Sequence, residues 1–350
     1  MNRWIEIDGH RVGPGYPVYV VAELSANHSQ EFDKAVELIK AAKVCGADAV
    51  KLQTYTPDTI TIACKKEYFR IQKGTVWEGL ELYDLYSQAY TPWEWQPRLK
   101  AVAEELGMDL FSSAFDFSSV QFLEEIGVPA YKIASFEIVD LPLIEKVART
   151  GKPIIISTGM ATLGEIEDAV NAARGAGATQ IALLKCTSAY PASPDEMNLQ
   201  TIPHLAETFQ VPVGLSDHSL TIAVPVSAVS IGACIIEKHL TLSRAISGPD
   251  SVFSLEPGEF RSMVDEVRIA EKAIGGVHYS LTDRESSSRT FRRSLFVVKD
   301  MKARDTFTEE NLRSIRPGHG LPPKYISRIL GKRAARDIER GTPLDWEMVD

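Results

Sequence analysis

Eight times between Val18 and Ile274 a short apolar run gives way to a polar turn and then to a stretch of helical period. The runs are Val18–Ala22, Ala49–Leu52, Asp109–Phe111, Ala130–Ile133, Pro153–Ile156, Ile181–Leu184, Val211–Leu215 and Cys234–Glu237. Strands this apolar imply a parallel sheet covered on both faces, because a half-exposed sheet would alternate apolar with polar residues. Eight strand–helix units closing on themselves predict an α/β chain folded as a (β/α)8 TIM barrel. An open doubly wound sheet is the alternative. Its dinucleotide fingerprint is missing, since Gly175-Ala176-Gly177 follows a helix, precedes a strand and lacks the third glycine.

Three segments stand outside the repeat. Trp4–Ile7 and Arg11–Val12 flank Asp8-Gly9-His10, a hairpin signal expected to plug one end of the barrel. Thr54–Tyr90, after the second run, carries Tyr55, Tyr68, Phe69, Trp77, Tyr83 and Tyr86, and an insertion of this length at a barrel mouth reads as a lid or a subunit contact. After the barrel, 1–275, the composition shifts to serine and arginine, which places a linker at 276–290. Residues 291–350 then form a small β-rich module with strand signals at Ser294–Val298 and Leu312–Ile315.

Net charge of −9 over 350 residues, with no basic block, argues against a nucleic-acid or anionic-membrane surface. No apolar run is long enough to span a membrane, and no signal peptide is evident. Cys45, Cys64, Cys186 and Cys234 lack metal or disulfide spacing, so they read as reduced thiols of a cytoplasmic protein.

In a barrel the residues that end the strands converge at one mouth, where such enzymes keep their chemistry. The ends supply Glu23, Asn27 and His28; Lys51 and Gln53; Ser112, Ser113 and Asp116; Lys132, Ser135 and Glu137; Ser157; Lys185, Ser188 and Tyr190; and Asp217, His218, Glu237, Lys238, His239 and Asp250. Lys51 and Lys132 interrupt apolar runs, so each ammonium requires a bound anion or a carboxylate, unless its stem packs and its head reaches solvent. Glu137 suits a general base or a helix-start carboxylate. His218 and His239, on neighbouring strand ends, suit a divalent metal.

Together, Ala22-Glu23 with Asn27-His28, Lys51-Leu52-Gln53, Tyr131–Glu137, Ser157-Thr158-Gly159-Met160, Ser216-Asp217-His218, Glu237-Lys238-His239 and Gly248-Pro249-Asp250 resemble the sialic acid synthase family over almost the whole chain. Residues 291–350, with Arg316-Pro317-Gly318-His319-Gly320, resemble its antifreeze-like (SAF) domain. Glu23–His28 is similar to the pseudaminic acid branch. The resemblance implies condensation of phosphoenolpyruvate with an open-chain amino-sugar aldehyde, here 2,4-diacetamido-2,4,6-trideoxy-L-altrose, to a nonulosonic acid and phosphate. It implies a domain-swapped homodimer and a manganese or magnesium ion on His218 and His239. It also implies phosphate and carboxylate contacts from Lys51, Lys132, Ser113, Ser135 and Ser157, and a water-activating Glu137. Gln53, Tyr190 and Asp250 would meet the sugar, Glu23 and Asn27 would share the cavity, and Arg316 would come from the partner. Ser188 stands where the N-acetylneuraminate branch has asparagine, which puts a direct contact there in doubt.

Other readings stay open at this point. The alternative sugar is that of an N-acetylneuraminate or legionaminate synthase. Lys51 or Lys132 could instead form a Schiff base in an aldolase, which would leave the histidines idle. A non-catalytic sugar-binding barrel is the weakest reading.

Overall fold

The computed structural model describes residues 3–72, 75–246 and 248–350. The chain divides into two compact units, Met1–Gly275 and Gly276–Asp350.

In the first unit the hairpin β1 (Ile5–Ile7) and β2 (His10–Val12) precedes eight strands: β3 (Tyr19–Glu23), β4 (Ala49–Thr54), β5 (Asp109–Ala114), β6 (Tyr131–Ile133), β7 (Ile154–Ser157), β8 (Ile181–Cys186), β9 (Val213–Asp217) and β10 (Ile235–His239). All eight pair in parallel, and β10 closes the barrel against β3 with Ile235 opposite Tyr19 and His239 opposite Glu23. A helix follows each strand, from Phe32–Val44 after β3 to Pro257–Ile274 after β10.

Alternation along each strand sorts the core into two layers. Val20, Val50, Leu110, Ile133, Ile154, Leu183, Leu215 and Ile236 face outward and pack on the helices. Tyr19, Val21, Ala49, Phe111, Ile155, Leu184 and Ile235 face inward, and Ile5, Ile7 and Val12 of the hairpin pack on them as the expected plug. Gly214 lies where this interior is tightest: a Cβ there would stand 2.4 Å from Ile235 O.

The second unit pairs β11 (Ser294–Val297) with β12 (Leu312–Ile315) in antiparallel fashion over its own core, which includes Leu295, Phe307 and Ile329. Residues 276–290 are exposed and contain the short helix Asp283–Ser288. Cys45, Cys186 and Cys234 are buried free thiols, and Cys64 is half-buried and free. Among the described residues no helix is long and apolar enough to cross a membrane.

Candidate active site

The inward positions change from apolar to polar as each strand approaches its C-terminal end. Val21 is followed by Glu23, Ala49 by Lys51 and Gln53, Phe111 by Ser113, and Ala130 by Lys132. Around the rest of the barrel Ile155 leads to Ser157, Leu184 to Cys186, Gly214 to Ser216, and Ile235 to Glu237 and His239. These ends, with His218 just past β9, surround a cavity of about 500 Å³.

The two lysines are compensated differently. Lys51 Nζ lies 2.5 Å from Glu23 Oε2 and 3.5 Å from Glu237 Oε1, and donates to Ser113 Oγ at 3.2 Å. Burial lowers the Lys51 pKa, but Glu23 and Glu237 more than reverse it, so the ammonium is held above its ordinary range. Lys132 Nζ, among the described residues, donates only to neutral oxygens, Ser157 Oγ at 2.6 Å and Ile133 O at 2.9 Å. Among the described residues no carboxylate oxygen comes within 4.0 Å of it. Burial therefore pulls its pKa down. A buried cation without a carboxylate is an incomplete pair.

The carboxylates diverge as well. Burial raises Glu237, but Lys132, Lys51 and His218 outweigh it and hold the group below its ordinary range. Glu23 ends above its ordinary range because burial outweighs Lys51. Although Glu23 Oε2 has no hydrogen bond of good angle, its ion pair with Lys51 at 2.5 Å satisfies it. Glu137 Oε2 is buried with no partner among the described residues, and burial pushes this group up to about 7 against the pull of Lys132. A carboxyl in that range exchanges protons near neutral pH.

His218 and His239 stand with ring centroids 5.4 Å apart. His218 Nδ1 lies 3.0 Å from Thr187 O and 3.8 Å from Cys186 Sγ. The carbonyl is nearer and only accepts, so it takes the Nδ1 proton and leaves the Nε2 lone pair free. His239 Nδ1 is buried without a partner among the described residues. A carbonyl-oriented imidazole beside an orphaned imidazole nitrogen fits a metal pair. Among the described residues no group of three or more His, Cys, Asp and Glu is placed to hold an ion. Water or substrate oxygens would therefore complete the shell, as in open catalytic sites.

The remaining candidates separate into lining and supporting residues. Gln53 Nε2 donates to Glu23 Oε1 at 3.2 Å and to Ser25 Oγ at 2.9 Å, while Ser25 Oγ donates to Asp250 Oδ2. Tyr190 lies on His218 with ring centroids 4.4 Å apart. Ser135 accepts from Gly159 N at 3.1 Å, and a Cβ on Gly159 would come within 2.2 Å of Ser188 Oγ. Glu23, Lys51, Gln53, Lys132, Ser135, Glu137, Ser157, Tyr190, His218, His239 and Asp250 line the cavity.

Asn27, Ser113 and Ser188 are not among the lining residues. The Asn27 amide is engaged at 2.9 Å by both Leu240 O and Ser254 Oγ, so it ties the loop after β3 to that after β10 instead of sharing the cavity. Ser113 stands behind Lys51 as its acceptor, and Ser188 lies 3.8 Å from Cys186 Sγ. His28 is buried on Trp95 and bonded to Thr91 Oγ1 at 3.1 Å. Arg316 sits on an exposed turn of the second unit, where Pro317 O accepts from Ser294 Oγ at 2.6 Å.

Ser25, Cys186 and Ser216 line the cavity without having been put forward as site residues, and so does Glu237, named above only as a strand end without a role. For the last three the signal is parity: each is an even number of residues from an inward apolar position. Lys238 and Asp217, one step out of phase, instead form a buried ion pair of 2.5 Å. Ser25 shares the parity, four residues past Val21, but it lies beyond the strand end in the short 3-10 helix Ser25–His28, where the alternation no longer applies.

A closed parallel barrel with its polar side chains gathered at the C-terminal mouth, under an insertion, is the architecture of a barrel enzyme. The chain belongs to the NeuB family, which residues 38–279 match, and residues 292–350 match the SAF domain. It is similar to the pseudaminic acid synthase of Helicobacter pylori, with 44% identity over 335 residues, 95% of this chain and 98% of that protein. Similarity to the pseudaminic acid synthase of Campylobacter jejuni subsp. jejuni is 46% over 327 residues, 93% of this chain and 95% of that one. Among solved structures, spore coat polysaccharide biosynthesis protein SpsE of Bacillus subtilis superposes with a TM-score of 0.67 at 33% identity, covering 99% of each chain.

Proposed function

We propose that the protein is a pseudaminic acid synthase, condensing phosphoenolpyruvate and water with 2,4-diacetamido-2,4,6-trideoxy-L-altrose to give a nine-carbon 2-keto acid and phosphate. The observation that carries the reading is Lys132, a buried ammonium without a carboxylate, in the same cavity as a carboxyl that titrates near 7. An anionic substrate completes the first, and the second can deprotonate water.

Lys132, Ser135 and Ser157 would hold the phosphate and carboxylate of phosphoenolpyruvate. Lys51, already paired with Glu23 and Glu237, adds field more than a free contact. The substrate's C3 attacks the sugar aldehyde carbon, leaving positive charge at C2 that Glu237 and Glu23 stabilise. Glu137 takes a proton from the water that adds to C2, and the resulting tetrahedral centre expels phosphate. Gln53, Asp250 and Tyr190 orient the sugar. His218 and His239 would hold a divalent ion, manganese or magnesium, which when bound supplies Lewis-acid polarisation of the aldehyde oxygen. By the same family likeness the enzyme works in the cytoplasm as a domain-swapped homodimer, each cavity receiving Arg316 of the partner subunit.

Phosphate release from phosphoenolpyruvate against a panel of amino-sugar aldehydes, with and without manganese, tests the reading. Turnover with N-acetylmannosamine but not with the diacetamido sugar would overturn the substrate assignment. The lowered pKa of Lys132 also suits an amine nucleophile, which keeps a Schiff-base aldolase as a second reading. Borohydride trapping of a keto substrate on Lys132 would favour it, whereas loss of activity with a chelator would eliminate it.

A further inference from the structure

The insertion after β4 supplies a surface that the chemistry above does not use. Its helix Leu82–Ala89 carries Leu82, Leu85, Tyr86 and Ala89 at i, i+3, i+4 and i+7, the stripe that a helix ordinarily turns toward a protein core. Here all four line the reaction cavity. Trp77 precedes them and is fixed by donation from Nε1 to Pro249 O at 2.8 Å, beside the loop that carries Asp250. Its ring lies 5.4 Å from Tyr190, and on the other flank Tyr55 lies 5.5 Å from Tyr86. The strand ends are polar, whereas the insertion faces the same cavity mainly with apolar and aromatic residues, Thr75 being the exception.

Phosphoenolpyruvate is anionic and gains nothing from such a wall. A fully hydroxylated sugar would lose water there and find no hydrogen-bond partner in Leu82 or Leu85. Methyl groups, from N-acetyl substituents and from a deoxygenated chain end, would gain by leaving water.

We propose that Leu82, Leu85, Tyr86 and Trp77 form the specificity wall for the aldehyde substrate, selecting an oxygen-poor, methyl-bearing amino sugar over a fully hydroxylated one. The inference rests on the synthase reading above and names the residues that set its sugar preference.

The test uses the full-length protein and compares the 2,4-diacetamido-2,4,6-trideoxy aldehyde with N-acetylmannosamine by phosphate release, with KM for phosphoenolpyruvate as an internal control. An apolar wall rejects an added hydroxyl by about 100-fold at most, which sets the scale of the wild-type preference. Leu85→Asn, and Leu82→Asn at a half-buried position that tolerates polarity, should each raise KM for the diacetamido sugar about 10-fold. KM for phosphoenolpyruvate should stay within about two-fold, and Leu85→Met should restore the sugar KM. An unchanged sugar KM in both asparagine variants overturns the wall while leaving the synthase reading intact. If the wild type releases no phosphate with any amino-sugar aldehyde, the synthase reading falls and the wall falls with it.

Discussion

At the N-terminal end of the barrel, Tyr19 donates its hydroxyl to Asp109 Oδ2 at 2.5 Å, and His10 of the plug hairpin lies 3.0 Å from the same oxygen. At the C-terminal end, among the described residues, Glu137 Oε2 and His239 Nδ1 are buried without partners, and Lys132 has neutral acceptors only. Both ends bury ionisable groups, but one satisfies them and the other leaves them open. Because an unsatisfied buried polar group costs stability, open valences gathered at one mouth mark where the fold gives up stability for chemistry. Substitutions of satisfied groups should therefore move melting, and those of the open groups at the mouth should move turnover.

The largest effect is expected for His218→Ala or His239→Ala, each lowering turnover by about 10⁴-fold or more with the melting transition retained. Near-normal phosphate release from both would refute the metal pair. Glu137→Gln should lower kcat about 10³-fold. In the wild type, kcat/KM should climb as pH rises through about 7, because the carboxylate form is the active one, and a flat profile would exclude Glu137 as the base.

The sign for stability is opposite. With its folded value raised above the ordinary 4.5, Glu137 stabilises fully below that pH and loses the contribution as pH rises through about 7. Glu137→Gln should thus match the wild-type Tm at pH 5 and exceed it at pH 8 by about 2 °C, which calorimetry at the two pH values would measure.

Lys132→Met should raise KM for phosphoenolpyruvate about 100-fold with little change in folding. Lys51→Met instead strands Glu23 and Glu237 and should cost about 3 kcal/mol of stability, read from urea unfolding. Equal effects of the two would erase the distinction between the lysines. Smallest in activity is Asp109→Asn, for which kcat should stay within about two-fold while stability falls by about 1–3 kcal/mol. A larger loss of activity than of stability would blur the contrast between the two ends.

The barrel was legible because eight apolar runs report burial directly, but the runs ended too early as strands. The run expected to stop at Phe111 continues to Ala114, and the one expected to stop at Glu237 continues to His239. The ladder follows backbone pairing and tolerates polar side chains, so hydrophobicity underestimates strand length. Lys51, Lys132, His218 and His239 stood out because charge or imidazole in an apolar context demands a partner. Ser216 and Cys186 needed the in–out phase of their strands as well, and so did the choice of Glu237 over its neighbour Lys238. Asn27 and Trp77 were beyond local reading: their partners lie 213 and 172 residues away in the chain. Of the aromatics in the insertion, Tyr68 is 90% exposed whereas Trp77 is tied over the mouth, a difference no spacing encodes.

The hairpin plug sets a condition on biosynthesis. Ile5, Ile7 and Val12 leave the ribosome well before β10, yet the interior that covers them includes Cys234 and Ile235, and β3 pairs with β10 only after both have been made. Until β10 has emerged, some 230 residues after the hairpin, the hairpin is only partly covered and β3 keeps an unpaired edge. Nascent chains truncated before β10 should consequently be the most aggregation-prone and chaperone-dependent of all lengths of this protein, and the addition of a single strand should end that dependence.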